Sequence, residues 1–286
     1  MPDETIIEIT ECPRDAMQGW PVLIPTEKKI SYLQSLLEVG FQTLDFGSFV
    51  SAKSIPQMAD TKDVIEALGA DSQTKLLAIT ANLRGATDAL QYDKIDKIGF
   101  PFSISETFQL RNTNITIASA FETVRELQEL CLKNNKTLVV YLSMGFGNPY
   151  GDAYTINMVT GWIERFLDLN IIDLSIADTV GIASPDDVNN LLARVVQNYP
   201  ELRLGVHLHA DKDSMTEKIN AALSAGCTRF DSAIKGIGGC PMSGNDLVGN
   251  IDTEILIHEL RKKGYSTSVD PERLEAAGII AAGIFT

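Results

Sequence analysis

Short β-branched or apolar runs alternate with longer amphipathic runs eight times along this chain, and that repetition constrains the fold more than any single motif does. The strand-like runs are residues 5–12, 41–49, 75–81, 94–102, 137–144, 171–178, 203–209 and 229–235. Helical patterns lie at 27–39, 61–68, 83–90, 118–133, 156–169, 185–198, 215–225 and 252–263. Ser184 before Pro185 is a cap-then-proline helix start, and Gly40 and Gly226 are glycine stops. Eight strand–helix units with no linker between them predict an α/β fold, a closed (β/α)8 TIM barrel spanning residues 1–286 as one domain. An open doubly wound sheet would use fewer repeats, and no Gly-x-Gly-x-x-Gly follows the first strand. The tail, 266–286, reads either as a short C-terminal capping helix or as an oligomer contact through Ile279, Ile280 and Phe285.

Composition removes several partner classes. With 24 Lys and Arg against 38 Asp and Glu, the net charge is −14, and no basic patch is present to meet a polyanion; nucleic-acid binding is not expected. The longest apolar stretch, 278–285, falls far short of the roughly 20 residues a membrane span needs. An acidic start without a hydrophobic segment behind it gives no secretory signal, so the chain reads as cytoplasmic. Four cysteines, Cys12, Cys131, Cys227 and Cys240, are too few for a disulfide scaffold and form no Cys-x-x-Cys pair.

In a barrel the chemistry sits at the C-terminal ends of the strands. His207 and His209 lie two apart on the seventh strand, so their side chains share a face and can converge on one point. Two histidines with a carboxylate suit a divalent metal that keeps positions open for substrate; a hydrogen-bonded pair of core histidines is the plain alternative. Arg14 and Asp15 follow the first strand as a local ion pair, or as an arginine facing a substrate oxygen with an aspartate on the metal. Asp45 stands in an otherwise apolar strand, where an unpaired carboxylate is costly; a partner in Arg14 or a backbone amide would account for it. The loop Gly236-Ile-Gly-Gly-Cys240-Pro presents a thiol over the mouth, either as a proton carrier or as an inert residue in a tight turn. Asn245 and Asn250 follow it and could each complete an oxygen-rich metal shell. His258, alone on a helix, reads as a solvated surface residue.

Five segments then point to one family. Cys12-Pro-Arg-Asp-Ala-Met-Gln18, the run from Ser48 through Lys53 to Asp60, Asp178-Thr-Val-Gly181, His207-Leu-His209 and Gly238-Gly-Cys-Pro241 resemble, in order, the 3-hydroxy-3-methylglutaryl-CoA lyases of the DRE-type metal-dependent TIM-barrel superfamily. The resemblance implies Mg²⁺ or Mn²⁺ held by Asp15, His207, His209 and Asn250. Asn250 is preferred to Asn245 because Gly249-Asn250-x-x-Thr253-Glu254 looks like the family segment that supplies this ligand. It further implies Arg14 on the enolate oxygen, His207 or a neighbouring carboxylate as the base that takes the hydroxyl proton, Gln18 lining the acyl site, Asp45 in the place of a family glutamate with a catalytic role, and Asp178 and Thr179 on the substrate side. Lys53 would join the metal and Arg14 in a local positive pocket for anionic CoA, and Cys240 would move protons. The implied reaction is the retro-Claisen cleavage of the acyl-CoA to acetyl-CoA and acetoacetate, and a homodimer is the assembly many such barrels adopt.

Three departures gather around the substrate and leave the metal ligands intact: Asp45 for glutamate, Gly19-Trp-Pro21 for a stretch that usually carries a lysine, and the segment from Ala210 to Met215 after the histidines. A related aldolase, or a Claisen-type synthase acting on a 2-oxo acid or aldehyde, would keep the metal and change the carbonyl partner. A barrel that binds without turnover would be expected to lack a ligand, and all four ligand types are present.

Overall fold

The computed structural model describes residues 6–69, 72–239 and 248–286. β1 (Glu8–Glu11), β2 (Thr43–Ser48), β3 (Lys75–Ile79), β4 (Ile95–Ser103), β5 (Thr137–Ser143), β6 (Asp173–Asp178), β7 (Arg203–Ala210) and β8 (Arg229–Ser232) pair in sequence, all parallel. The ring closes where β1 meets β8, from Glu8 opposite Arg229 to Glu11 opposite Ser232. The expected barrel is therefore present, each strand lying inside or within a residue of its predicted run.

The helices follow from local chemistry. Between the strands run α1 (Pro13–Gln18), α2 (Thr26–Val39), α3 (Thr61–Ala67), α4 (Leu83–Ala89), α5 (Glu106–Thr113), α6 (Ile117–Lys133), α7 (Ile156–Asp168), α8 (Pro185–Asn198) and α9 (Met215–Ser224), with α10 (Thr253–Lys262) and α11 (Pro271–Ile284) after β8. Ser184 accepts from the Asp187 amide while the Asp187 side chain returns to the Ser184 amide, a reciprocal cap that starts α8. Gly40 ends α2 in the left-handed region at φ 94°, where a Cβ would lie 2.6 Å from the Ser268 carbonyl oxygen.

Two layers of apolar packing hold the fold. The large one lies between strands and helices and includes Ile9, Leu33, Leu44, Phe46, Phe100, Phe102, Phe166 and Phe230. A small separate cluster of Leu77, Ile79 and Val139 packs with Tyr141. Polar side chains fill other alternate strand positions. Arg229 reaches across Gly205 of β7 to Asp173 of β6 at 2.9 Å, and a Cβ on Gly205 would come within 2.5 Å of Arg229 Nε. Glycine at 205 is the space that admits the guanidinium.

The tail is a 14-residue helix, longer than the short cap expected. It lies along α2: the Asp270 amide donates to the Val39 carbonyl, Arg273 donates to Glu38, and the Phe285 ring meets Trp20 and Tyr32 edge-on at 5.1 and 6.2 Å. Phe285 is thus spent inside the molecule, whereas Ile279 is 70 % exposed. No helix among the described residues is long and apolar enough to cross a membrane.

Candidate active site

α1 was not foreseen as a helix, and it is the element that aims the Arg14–Asp15 pair. Pro13 supplies a pre-set φ at the first helical position, and the six-residue helix places Gln18 one turn from both residues. Arg14 Nη1 donates to Gln18 Oε1 at 2.7 Å and to Asp15 Oδ1 at 3.2 Å, and Gln18 Nε2 returns to Asp15 Oδ1 at 2.8 Å. On its other edge Arg14 grips Asp45 of β2, through Nε at 3.0 Å and Nη2 at 2.5 Å to Oδ2. Asp45 is thereby paired as its position in an apolar strand demanded. Burial nonetheless pushes its carboxyl up to about 6, against the downward pull of Arg14.

Asp15, His207 and His209 each bring one ligating atom within 4.8 Å of the others, and all three are buried. The histidines are oriented from behind. His207 Nδ1 lies 3.2 Å from Asp231 Oδ2, itself bonded to Ser175 Oγ at 3.0 Å, and His209 Nδ1 lies 3.3 Å from the Gly249 carbonyl. With each Nδ1 engaged, each Nε2 is the nitrogen left for an ion. Burial alone would lower both imidazoles. The Asp231 hydrogen bond overrides it and raises His207, while His209, next to His207, falls to about 4. Burial would also raise Asp15, but Arg14 and then the two histidines hold it below the ordinary carboxylate value.

Asn250 arrives on a two-residue strand, β9 (Gly249–Asn250), antiparallel to β7 with Asn250 opposite His209. Its amide nitrogen donates to Asp15 Oδ2 and to the Ile237 carbonyl, both at 2.8 Å. With both hydrogens used, its oxygen is the atom left to face an ion. One carboxylate and two imidazoles converging on one point, with an asparagine amide bonded to that carboxylate, fit a hard divalent cation.

Two buried networks surround this centre, built on Lys218 and Glu11, neither of which the sequence reading singled out. Lys218 of α9 donates to Asp178 at 2.8 Å, to the His209 carbonyl at 2.9 Å and to the Gly181 carbonyl at 3.1 Å. Asp178 also accepts from the Ile182 and Ala183 amides, and Thr179 Oγ1 accepts from the Met144 amide, so both are engaged in fixing the loop beyond β6. The second network begins at Glu11, fully buried, whose carboxyl accepts from the Ile234 amide at 2.8 Å and lies 2.6 Å from Thr253 Oγ1. It ties both ends of the segment between β8 and α10, and burial pushes it up to about 8. The signal for each was a charged residue inside an apolar pattern.

Lys53 is exposed. Cys240 and Asn245 lie outside the described residues. A cavity of about 280 Å³ opens between the segments after β2 and β3, lined by Ser48, Lys62, Asn82 and Arg84 among others, and includes none of the converging ligands.

Comparison with known proteins places this geometry in a family context. The HMGL-like family model matches residues 6–279. The chain is 31% identical over 265 residues to the hydroxymethylglutaryl-CoA lyase YngG of Bacillus subtilis, covering 93% of this chain and 88% of that one. It is 30% identical over 266 residues to the human cytoplasmic 3-hydroxy-3-methylglutaryl-CoA lyase, covering 93% and 71%. Among solved structures, an HMG-CoA lyase from Acinetobacter baumannii in complex with coenzyme A and 3-methylmalate superposes with a TM-score of 0.92 at 29% identity, covering 100% of this chain and 93% of that one.

Proposed function

The chain belongs to the HMGL-like family, and from that premise we propose that it is a divalent-metal-dependent carbon–carbon lyase that cleaves 3-hydroxy-3-methylglutaryl-CoA to acetyl-CoA and acetoacetate. The observation that carries this reading is the convergence of Asp15, His207 and His209 with Arg14 bonded to the same aspartate. Asp15, His207, His209 and Asn250 would hold Mg²⁺ or Mn²⁺, which supplies Lewis-acid polarisation of substrate oxygens when bound.

The protein's own groups account for the proton and charge movements. A base must take the tertiary hydroxyl proton. His207, with one nitrogen on Asp231 and the other toward the ligand cluster, or a neighbouring carboxylate would take it. Asp45, raised to about 6, has a basicity near the working pH that a general base needs. As the carbon–carbon bond breaks, negative charge develops on the thioester oxygen. Arg14, locked in place by Asp45 and Gln18, is a preorganised cation that need not reorient to meet it. Gln18 borders the acyl group, and Asp178 and Thr179 shape the substrate side by fixing the loop after β6. Lys53 is free to reach an anionic CoA, and Cys240 is the proposed donor that reprotonates the enolate. A cytoplasmic location accompanies this reading.

Acetoacetate release from 3-hydroxy-3-methylglutaryl-CoA tests it, with Mn²⁺ or Mg²⁺ added and a chelator control, for wild type and Asp15→Asn. Turnover that needs the cation and disappears in the variant supports the reading. A protein that binds Mn²⁺ stoichiometrically yet releases no acetoacetate would refute the substrate, and 2-oxo acids and aldehydes would be screened next.

A further inference from the structure

A second group of ligating atoms sits directly behind the first. Cys12 Sγ, a His207 nitrogen and an Asp231 oxygen lie within 4.8 Å of one another, all in buried residues. Cys12 is 1 % exposed and carries a free thiol that, among the described residues, makes one weak bond, to the Thr10 carbonyl at 3.6 Å. The mechanism above uses neither that thiol nor the outer face of Asp231. The two clusters share His207 but differ in chemistry: the first offers oxygen and nitrogen alone, the second adds sulfur, which selects softer ions.

We propose that Cys12, His207 and Asp231 form a second cation site, for a thiophilic divalent ion such as Zn²⁺ or Cd²⁺, and that its occupation inhibits the enzyme by drawing His207 out of the first cluster. The inhibitory part rests on the proposed role of the first cluster; the site itself does not. In the resting state His207 Nδ1 faces Asp231 at 3.2 Å and carries the proton of that hydrogen bond. An ion between Cys12 and Asp231 takes the lone pair of Nδ1, the ring proton moves to Nε2, and the thiol proton leaves to solvent. One proton is released per ion, and Nε2–H no longer has a lone pair to offer beside Asp15 and His209. The surroundings favour a cation: Asp15, Asp45 and Asp231 all lie around Cys12, and the Arg14 guanidinium is already paired with Asp45.

Titration of chelator-treated protein with Cd²⁺, read by the ultraviolet thiolate-to-cadmium charge-transfer band, tests the site without any assay of activity. Wild type should develop the band to one equivalent. Cys12→Ser, nearly isosteric and still able to bond the Thr10 carbonyl, should lose it, with Cd²⁺ affinity at that site falling about tenfold or more. His209→Ala, which breaks the first cluster alone, should keep the band, as should Cys240→Ser. A band that survives in Cys12→Ser, or that vanishes with Cys240→Ser, overturns the site. In Mn²⁺-dependent turnover, wild-type activity should fall in step with the band; a full band with undiminished activity overturns the inhibition and leaves the first-cluster reading to its own test.

Discussion

Arg14 is the residue on which the proposed chemistry depends most, and its bonding makes the dependence measurable. Lysine keeps the charge but cannot grip Asp45 with two nitrogens while a third faces Gln18 and Asp15. Arg14→Lys should lower kcat by about 10²–10³-fold, the range seen when one preorganised donor to a developing oxyanion is removed, with a much smaller change in KM; steady-state kinetics on the acyl-CoA decides it. Asp231→Asn should act through His207, weakening Mn²⁺ binding about 10–100-fold, as loss of an outer carboxylate behind a ligating histidine does, and calorimetric titration reads that directly. Glu11 bears on stability. Folded, it keeps its proton up to about pH 8, whereas its ordinary value is 4.5. The folded state therefore binds the extra proton in between, and the stability Glu11 lends is full below the ordinary value and lost as pH rises through about 8. Glu11→Gln carries no titrating group, so its urea midpoint should fall less steeply than wild type between pH 5 and pH 8. Asp45, also raised, contributes the same sign in both proteins and cancels in the comparison. The sequence exposed the ligands, because histidines two apart on a strand must share a face. Lys218 and Glu11 showed there as no more than charges in apolar patterns, because their roles depend on backbone groups from elements distant in the chain, at Gly181 and Ile234.

Among the elements, the longest were the easiest to foresee and two of the shortest matter most. Strands such as β4 and helices such as α6 carry enough residues for a period to show. α1 has six residues and β9 two, below any length at which periodicity speaks, yet they deliver Arg14, Asp15, Gln18 and Asn250. α5 was missed because its sequence is polar on most faces, so only its Ser105 cap marked it. β9 and α1 are held together at Gly238. This residue sits at φ 96°, and a Cβ there would lie 2.8 Å from the Ala16 Cα, the Asp15 carbonyl oxygen and the Asn250 amide nitrogen alike. Gly238→Ala should cost at least about 1–2 kcal/mol for the left-handed backbone alone, and the clash would push Asn250 away from Asp15. The variant should be less stable in urea and should bind Mn²⁺ more weakly, both together. Weakened stability with unchanged Mn²⁺ affinity would show that the Asn250–Asp15 contact is not what the glycine protects.

On the scale of the whole molecule, the proposed cation site joins segments that lie far apart in the chain. Asp15 follows the first strand, the histidines lie on the seventh, and Asn250 comes from the stretch after the eighth, next to the seam where β1 and β8 close the ring. The net charge of −14 adds carboxylate repulsion, and Asp15 and Asp231 concentrate part of it at that seam. An ion bound there links the start of the chain to its last third and offsets local repulsion, so its binding is felt as stability of the barrel as a whole. Mass action sets the size: about 2.7 kcal/mol when free cation stands at 100 times its Kd. For a domain of this length each kcal/mol moves Tm by roughly 2–4 °C, so saturating Mn²⁺ should raise Tm by about 5 °C or more. His209→Ala should flatten that response while folding normally in the absence of metal, since among the described residues His209 Nδ1 meets only the Gly249 carbonyl, at 3.3 Å. Calorimetry of both proteins with Mn²⁺ and with a chelator separates the outcomes. A rise confined to wild type assigns the ion to this cluster, whereas an equal rise in both would place the stabilising ion elsewhere and remove the cluster from the proposed chemistry.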